Sequence, residues 1–328
     1  MGRSLKKKVD HFFKDFLVLK KMKDVYKGYL MCFTGVFSWS FSEIMVKMLQ
    51  GSVGPISLSF WRFFISGLFL LFIMFLQRDY NGFITILKRY KWLMILSSII
   101  ALGISNMIYF IGLQFTPANI GAACYSTYPI FISIYSIFLL NERSNLKLKM
   151  VGFALGLIGT TILITEFQFD LLIHPVHLIG NSLIVIAAAI WAFYSVLGKK
   201  IFNKASDIKN IEIKYTTLSS FLACIPIMIV LIFTPDEINT FFIYSWDQWI
   251  IILILGIIAT GFGLFIFFKG VKRIEVSKGI SLALFKPIIA IIFSFVILFE
   301  VPNLALFVSL PLIIIAVLLI NRPIKNSK

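Results

Sequence analysis

Charge is scarce in this chain. Asp, Glu, Lys and Arg make up 14% of its 328 residues, while 59% are hydrophobic. A soluble domain holds roughly 25% charged and about 45–50% apolar residues, so a water-soluble globule is excluded. Acids are scarcer still, 15 against 31 bases, for a net charge of +16. In a soluble chain that excess would point to nucleic acid. Here the bases border apolar blocks, so they read as orientation signals and no nucleic-acid partner is expected. The three cysteines, Cys32, Cys124 and Cys224, fall inside apolar blocks, which leaves no disulfide framework or zinc site. None of the three histidines lies in the interior of a block, and no Gly-rich phosphate loop of Walker type is present. An intramembrane enzyme therefore lacks its nucleophile–base pair or metal ligands, and no enzymatic activity, cofactor or metal is expected. No secretory signal peptide is visible. "MGRSLK" has Lys6 where a myristoylation signal needs Ser or Thr, and Met22 offers an alternative start.

What is present is a series of apolar blocks at about 28–49, 57–76, 92–112, 118–140, 148–166, 177–197, 215–233, 249–268, 279–298 and 302–321. Each has about the length needed to cross 30 Å of hydrocarbon, and each must satisfy its own backbone as a helix. The expected fold is an all-α integral membrane protein of ten spans. Segments 1–27, 77–91, 141–149, 198–214, 269–278 and 322–328 hold 28 of the 31 basic residues, and the alternate connections hold none. The positive-inside rule then places both termini in the cytoplasm, with the protein in the plasma membrane.

The two halves repeat. Gly28, Trp39 and Lys47 recur as Gly180, Trp191 and Lys199 at an offset of 152, and Arg62 falls on Lys214. Gly112, Pro129 and Glu142 recur as Gly270, Pro287 and Glu300 at an offset of 158. Five spans per half is an odd number, so the second copy enters from the opposite side, an inverted repeat typical of transporters. The organisation is a basic amphipathic segment (1–27), a first repeat (28–166), an outer linker (167–176), a second repeat (177–321) and a short tail (322–328).

With the Trp39…Lys47…Arg62 line and the Pro129…Glu142 and Pro287…Glu300 segments, the chain resembles the EamA-type transporters of the drug/metabolite transporter superfamily. The resemblance covers about residues 28–321. It implies ten helices, with the first, third, fourth, sixth, eighth and ninth around a central cavity, and transport of a small metabolite, often export. Family members usually have an apolar residue where this chain has Glu43. A membrane scaffold or receptor-like protein without transport is the alternative.

Four charges lie inside blocks: Glu43, Lys47, Arg62 and Lys286. A charge at a helix centre costs about 2.5–3.5 kcal/mol on insertion scales and so faces a cavity or a partner. Glu43 and Lys47 share one helix face. With Arg62 they form a polar outer gate or substrate contact, or else a structural ion pair between helices 1 and 2. Lys286 lies near the midplane beside Pro287, with Tyr128–Pro129 as its repeat counterpart, and this pair is the first choice for the substrate site. A proton-coupling role for Lys286 is also open. Trp39, Tyr109, Tyr125, Trp191 and Tyr194 flank these positions as packing or ligand contacts. The substrate expected is an amino acid or another carboxylate. "GFALG" at 152–156 suits close helix packing within the chain or in a homodimer. The 1–27 segment, with Val9, Phe12, Phe13 and Phe16 on one side, is expected to lie on anionic lipid. "HPVH" places His174 and His177 in a loop without a defined metal geometry.

Overall fold

The computed structural model describes residues 2–49, 51–299 and 304–322. Side chains of residues 2–21, Glu43, Ile44, Lys47, Ala118, Asn119, Leu171, Ser294, Ile297 and Leu298 lie outside the description, as do Glu300 and the tail from 323. The described residues are helical with no strand. They form α1 (Gly2–Leu49), α2 (Pro55–Leu76), the short α3 (Phe83–Arg89), α4 (Lys91–Leu113), α5 (Ile120–Leu140) and α6 (Leu146–Thr165). The chain continues as α7 (Pro175–Lys204), α8 (Ile211–Ile232), the short α9 (Pro235–Thr240), α10 (Trp246–Val271), α11 (Val276–Phe293) and α12 (Leu304–Ile320). Eight of these, α2, α4 to α8, α10 and α11, are long and apolar enough to cross a membrane, and α12 is a shorter apolar helix. The protein is a multi-pass membrane protein. α1 runs unbroken for 48 residues through the expected boundary at residue 27. The face expected to lie on lipid falls on side chains outside the description.

Local departures from α-geometry recur between the halves. α4 contains a π-helical stretch at Ile95–Ile104 and α10 one at Leu255–Phe262, which overlap and share their last position at the offset of 158. α5 breaks at Ser126–Thr127, just before Tyr128–Pro129. α11 tightens to a 3-10 turn at Leu282–Phe285, just before Lys286–Pro287. Proline removes the backbone donor and crowds the preceding turn, which accounts for a departure from α-geometry ahead of both Pro129 and Pro287.

Contacts between the halves recur as well. A Cβ on Gly28 would lie 3.3 Å from the Gly270 carbonyl oxygen and 3.1 Å from the Arg273 Cβ; one on Gly180 would lie 2.7 Å from the Gly112 carbonyl and 3.0 Å from the Phe115 Cβ. The repeat offsets convert one set of partners into the other. Trp39 and Trp191, each the other's counterpart, meet at 6.4 Å between centroids. Gly152, Gly156 and Gly159 pack against α12 and Leu284, so the "GFALG" face is used within the chain.

Asp79, after α2, receives bonds at 2.7 Å from both Lys214 Nζ and Asn210 Nδ2 at the start of α8. Its repeat counterpart Glu237 accepts from the Ser57 and Ile56 amides at the start of α2, at 2.7 and 3.4 Å. Each half thus ties down the start of the other half's second long helix. Lys214 is fully buried and the Asp79 side chain 13% exposed. Losing one partner of such a pair costs about 3 kcal/mol. The hydrogen bond from Lys214 holds the Asp79 carboxyl below the usual range, burial opposing it. A depressed value contributes stability above the ordinary carboxylate pKa that disappears as pH falls through the folded value. Asp79→Asn is therefore expected to lower the melting temperature in detergent at pH 7. Its deficit should shrink below about pH 4, near the unperturbed aspartate value. A deficit independent of pH would contradict this.

Candidate functional site

Between the halves lies a cavity of about 510 Å³. Seven of the ten expected site residues line it: Trp39 from α1, Arg62 from α2, Tyr109 from α4, Tyr125 and Tyr128 from α5, Trp191 from α7 and Lys286 from α11. Glu43 and Lys47 sit on α1, but their side chains lie outside the described residues. Tyr194 is the departure. It is fully buried away from the cavity, its hydroxyl within 3.0 Å of Ser219 Oγ and its ring stacked on Tyr215 at 5.6 Å. One turn of α7 beyond Trp191 points into the α7–α8 packing rather than the cavity.

The aromatic residues form a connected wall. Centroid separations are 4.9 Å for Tyr109–Tyr125, 5.6 Å for Tyr125–Tyr128 and 4.9 Å for Tyr128–Trp191. The first and last of these contacts are edge-to-face and the middle one tilted, arrangements that favour ring pairs beyond their buried area. Arg62 donates from Nε to Thr260 Oγ1 at 3.3 Å and lies 5.4 Å from the centroid of the Phe63 ring. These contacts hold the guanidinium at the α2–α10 seam. Lys286 opens the regular part of α11, directly after the 3-10 turn, where the change of helix geometry sets its direction.

The lining is wider than the resemblance implies. Arg62 and Phe63 bring in α2, and Thr160, Leu163 and Ile164 bring in α6. Asn106, Ser126 and Glu166 also reach it. Asn106 Nδ2 and Ser126 Oγ bond carbonyls one turn back, at 2.7 and 2.8 Å. A lone amide in the apolar run of α4 was a visible signal for Asn106. Glu166 holds a left-handed C-cap conformation, φ 52°, at the end of α6, and marks the end of the cavity opposite the basic segments.

At the basic end a polar cluster closes over the helix termini. Glu142, just past α5, accepts from the Val276 and Ser277 amides at 3.0 and 3.3 Å. Lys149 bonds Glu275 at 2.5 Å and Ser277 Oγ at 2.9 Å, and Ser144 bonds Glu275 at 2.6 Å. Burial pushes the Glu142 carboxyl above the usual range, the two amides opposing it. Burial works the same way on Glu275, but the bonds from Lys149 and Ser144 outweigh it and hold that carboxyl low. Lys149, Lys199 and Lys214, counted in the sequence as orientation signals, are all buried here. His174 and His177 stand 5.6 Å apart between ring centroids. Among the described residues no cluster suited to a metal ion is found.

With this geometry in place, residues 26–165 and 178–322 each match the EamA-like transporter family. The chain belongs to the EamA-like transporter family. Its relatives include the uncharacterized transporter YoaV of Bacillus subtilis, 25% identical over 80% of this chain and 85% of the relative. An uncharacterized transporter of Clostridium kluyveri is 24% identical over 88% and 91%. The aromatic amino acid exporter YddG of Ancylobacter novellus is 25% identical over 89% and 98%. A solved crystal structure shares the fold at a TM-score of 0.70 and 20% identity, over 90% of this chain and 96% of its own. Members of the family are transporters, not enzymes.

Proposed function

We propose that this EamA-family protein is a secondary transporter that exports a small carboxylate-bearing metabolite, an amino acid foremost, across the plasma membrane by alternating access. The observation that carries the reading is the cavity itself. Lys286 and Arg62 share it with a continuous aromatic wall, at the seam between halves whose contacts exchange under the repeat offsets. The two cations favour a negatively charged group in a low-dielectric space. The rings favour an apolar or aromatic remainder, in keeping with the substrate of the Ancylobacter relative. α1 and α12 complete ten spans in this reading, arranged as two inverted five-helix repeats with both termini in the cytoplasm, and the basic N-terminal segment contacts anionic lipid.

Binding on the purified protein tests the substrate class. Trp39 and Trp191 stand in the cavity wall, so an aromatic or aliphatic amino acid should change tryptophan emission saturably while a quaternary ammonium compound should not. The opposite preference would contradict the reading. Orientation is tested by cysteine labelling from outside intact cells, which is expected to modify Thr240→Cys and spare Ser206→Cys, both exposed positions. The reverse pattern would invert the topology.

A further inference from the structure

Asn106 interrupts the apolar run of α4 and carries the only side-chain amide among the described residues that line the cavity. Its Nδ2 donates to the Leu102 carbonyl, one turn back, at 2.7 Å. Only the nitrogen of an amide can donate to a carbonyl, so chemistry fixes the orientation and turns Oδ1 away from Leu102 as an acceptor. Asn106 and Tyr109 lie three residues apart and share one face of α4. The amide therefore stands about 4.5 Å along the helix from the aromatic wall that Tyr109 begins.

A purely structural task for this amide would be to satisfy a carbonyl where α4 leaves its π-helical stretch at Ile104. Ser105 Oγ bonds the Ala101 carbonyl there in the same way, at 2.6 Å. The second half does without such bonds. α10 makes the same transition after Phe262 with Gly263 and Leu264 at the matching positions, and neither has a side-chain donor. Leu264 also lines the cavity. The repeat thus sets this position on the wall twice, and only the first half makes it polar.

Nearby hydroxyls complete the pattern. Ser42, Ser126 and Thr160 each donate their single proton to a carbonyl of their own helix. What each has left to offer the cavity is lone pairs. Lys286 and Arg62 supply donors for a carboxylate, while Asn106 and these hydroxyls supply acceptors. A simple carboxylate uses only the first set. Glu166 caps the end of α6, whereas Asn106 lies about 10 Å inside the end of α4.

We propose that Asn106 is a specificity-determining residue. Its Oδ1 accepts a hydrogen bond from the α-ammonium of an amino acid whose carboxylate meets the two cations. The cavity therefore takes amino acids in preference to carboxylates that lack the amine. The assignment rests on the carboxylate reading of the cavity and names the second group of its substrate.

Tryptophan emission of the purified full chain, titrated with phenylalanine and with 3-phenylpropionate, the same skeleton without the amine, tests it. The parent should bind phenylalanine about tenfold more tightly, the effect of one hydrogen bond to a charged group. Asn106→Leu, which copies the second half, should weaken phenylalanine about tenfold and leave 3-phenylpropionate unchanged. Asn106→Asp keeps an acceptor but removes the donor to Leu102, so it should hold phenylalanine and weaken 3-phenylpropionate. A purely structural amide would make Asn106→Leu and Asn106→Asp behave alike. That result, equal affinity of the parent for both ligands, or equal losses for both in Asn106→Leu would overturn the assignment and leave the carboxylate reading standing. Binding of neither ligand by the parent would sink both. If Asn106→Leu does not fold, the parent ratio and Asn106→Asp still decide.

Discussion

Lys286→Ala is expected to weaken binding of a carboxylate-bearing substrate by roughly tenfold to a hundredfold, the loss of one charged hydrogen bond of about 1.5–3 kcal/mol. The described charges that line the cavity are Arg62, Lys286 and Glu166, a net of +1, and Glu166 sits at the rim. Among the described residues the charges deep in the cavity are the two cations, and the Coulomb term there is larger than in water. Arg62 is held at the α2–α10 seam by Thr260 and the Phe63 ring. Lys286 follows a 3-10 turn and precedes a proline, on a segment whose geometry differs from the rest of α11. Lys286→Arg keeps the charge but not the point-donor shape, and should retain part of the affinity. Tryptophan emission measures both variants. Normal affinity in Lys286→Ala, or tight binding of a permanent cation, would show that the lysine has another task.

Gly180→Leu and Gly270→Leu are expected to prevent accumulation of folded protein. A Cβ on Gly180 would lie 2.7 Å from the Gly112 carbonyl oxygen, and one on Gly270 would lie 2.7 Å from the Gly28 carbonyl and 2.5 Å from Cys32 Sγ. Two of these three obstacles are backbone, which cannot rotate away, so α7 must separate from α4 or α1 from α10. Overpacking a well-filled core costs about 1–3 kcal/mol and more where backbone blocks the way. Separation of α7 would also carry Trp191 away from Tyr128 and open the aromatic wall. Phe72→Leu, at an exposed position on α2, should stay within about 0.5 kcal/mol. Detergent size-exclusion profiles compare them; a monodisperse peak for both glycine variants at parental yield would contradict the packing argument.

Much of this was legible in the chain. Apolar blocks of membrane length, the one-sided distribution of bases and the two offsets are properties of composition and spacing, and they required no partner. The aromatic wall was legible because Trp39 and Trp191 are repeat counterparts, and Lys286 because a deep lysine beside a proline is costly without a cavity. The fate of Lys149, Lys199 and Lys214 was not. Near the end of an apolar run a lysine reads as an interfacial charge, and only the fold shows that Glu275, the Val271 and Ile274 carbonyls and Asp79 receive these ammonium groups. For the same reason α7 runs to Lys204, past the end of its apolar pattern at 197: its lysine is satisfied inside the protein and does not end the helix. Tyr194 failed as a cavity residue because helical spacing alone does not say which neighbour a face meets.

The central claim, transport of a carboxylate-bearing metabolite through this cavity, is tested most directly by counterflow in proteoliposomes. Vesicles loaded with an unlabelled aromatic amino acid should accumulate the labelled one transiently. Lys286→Ala vesicles should not, and an external quaternary ammonium should not compete. Absence of counterflow for every amino acid and carboxylate tried, or equal counterflow of a permanent cation, would contradict the account.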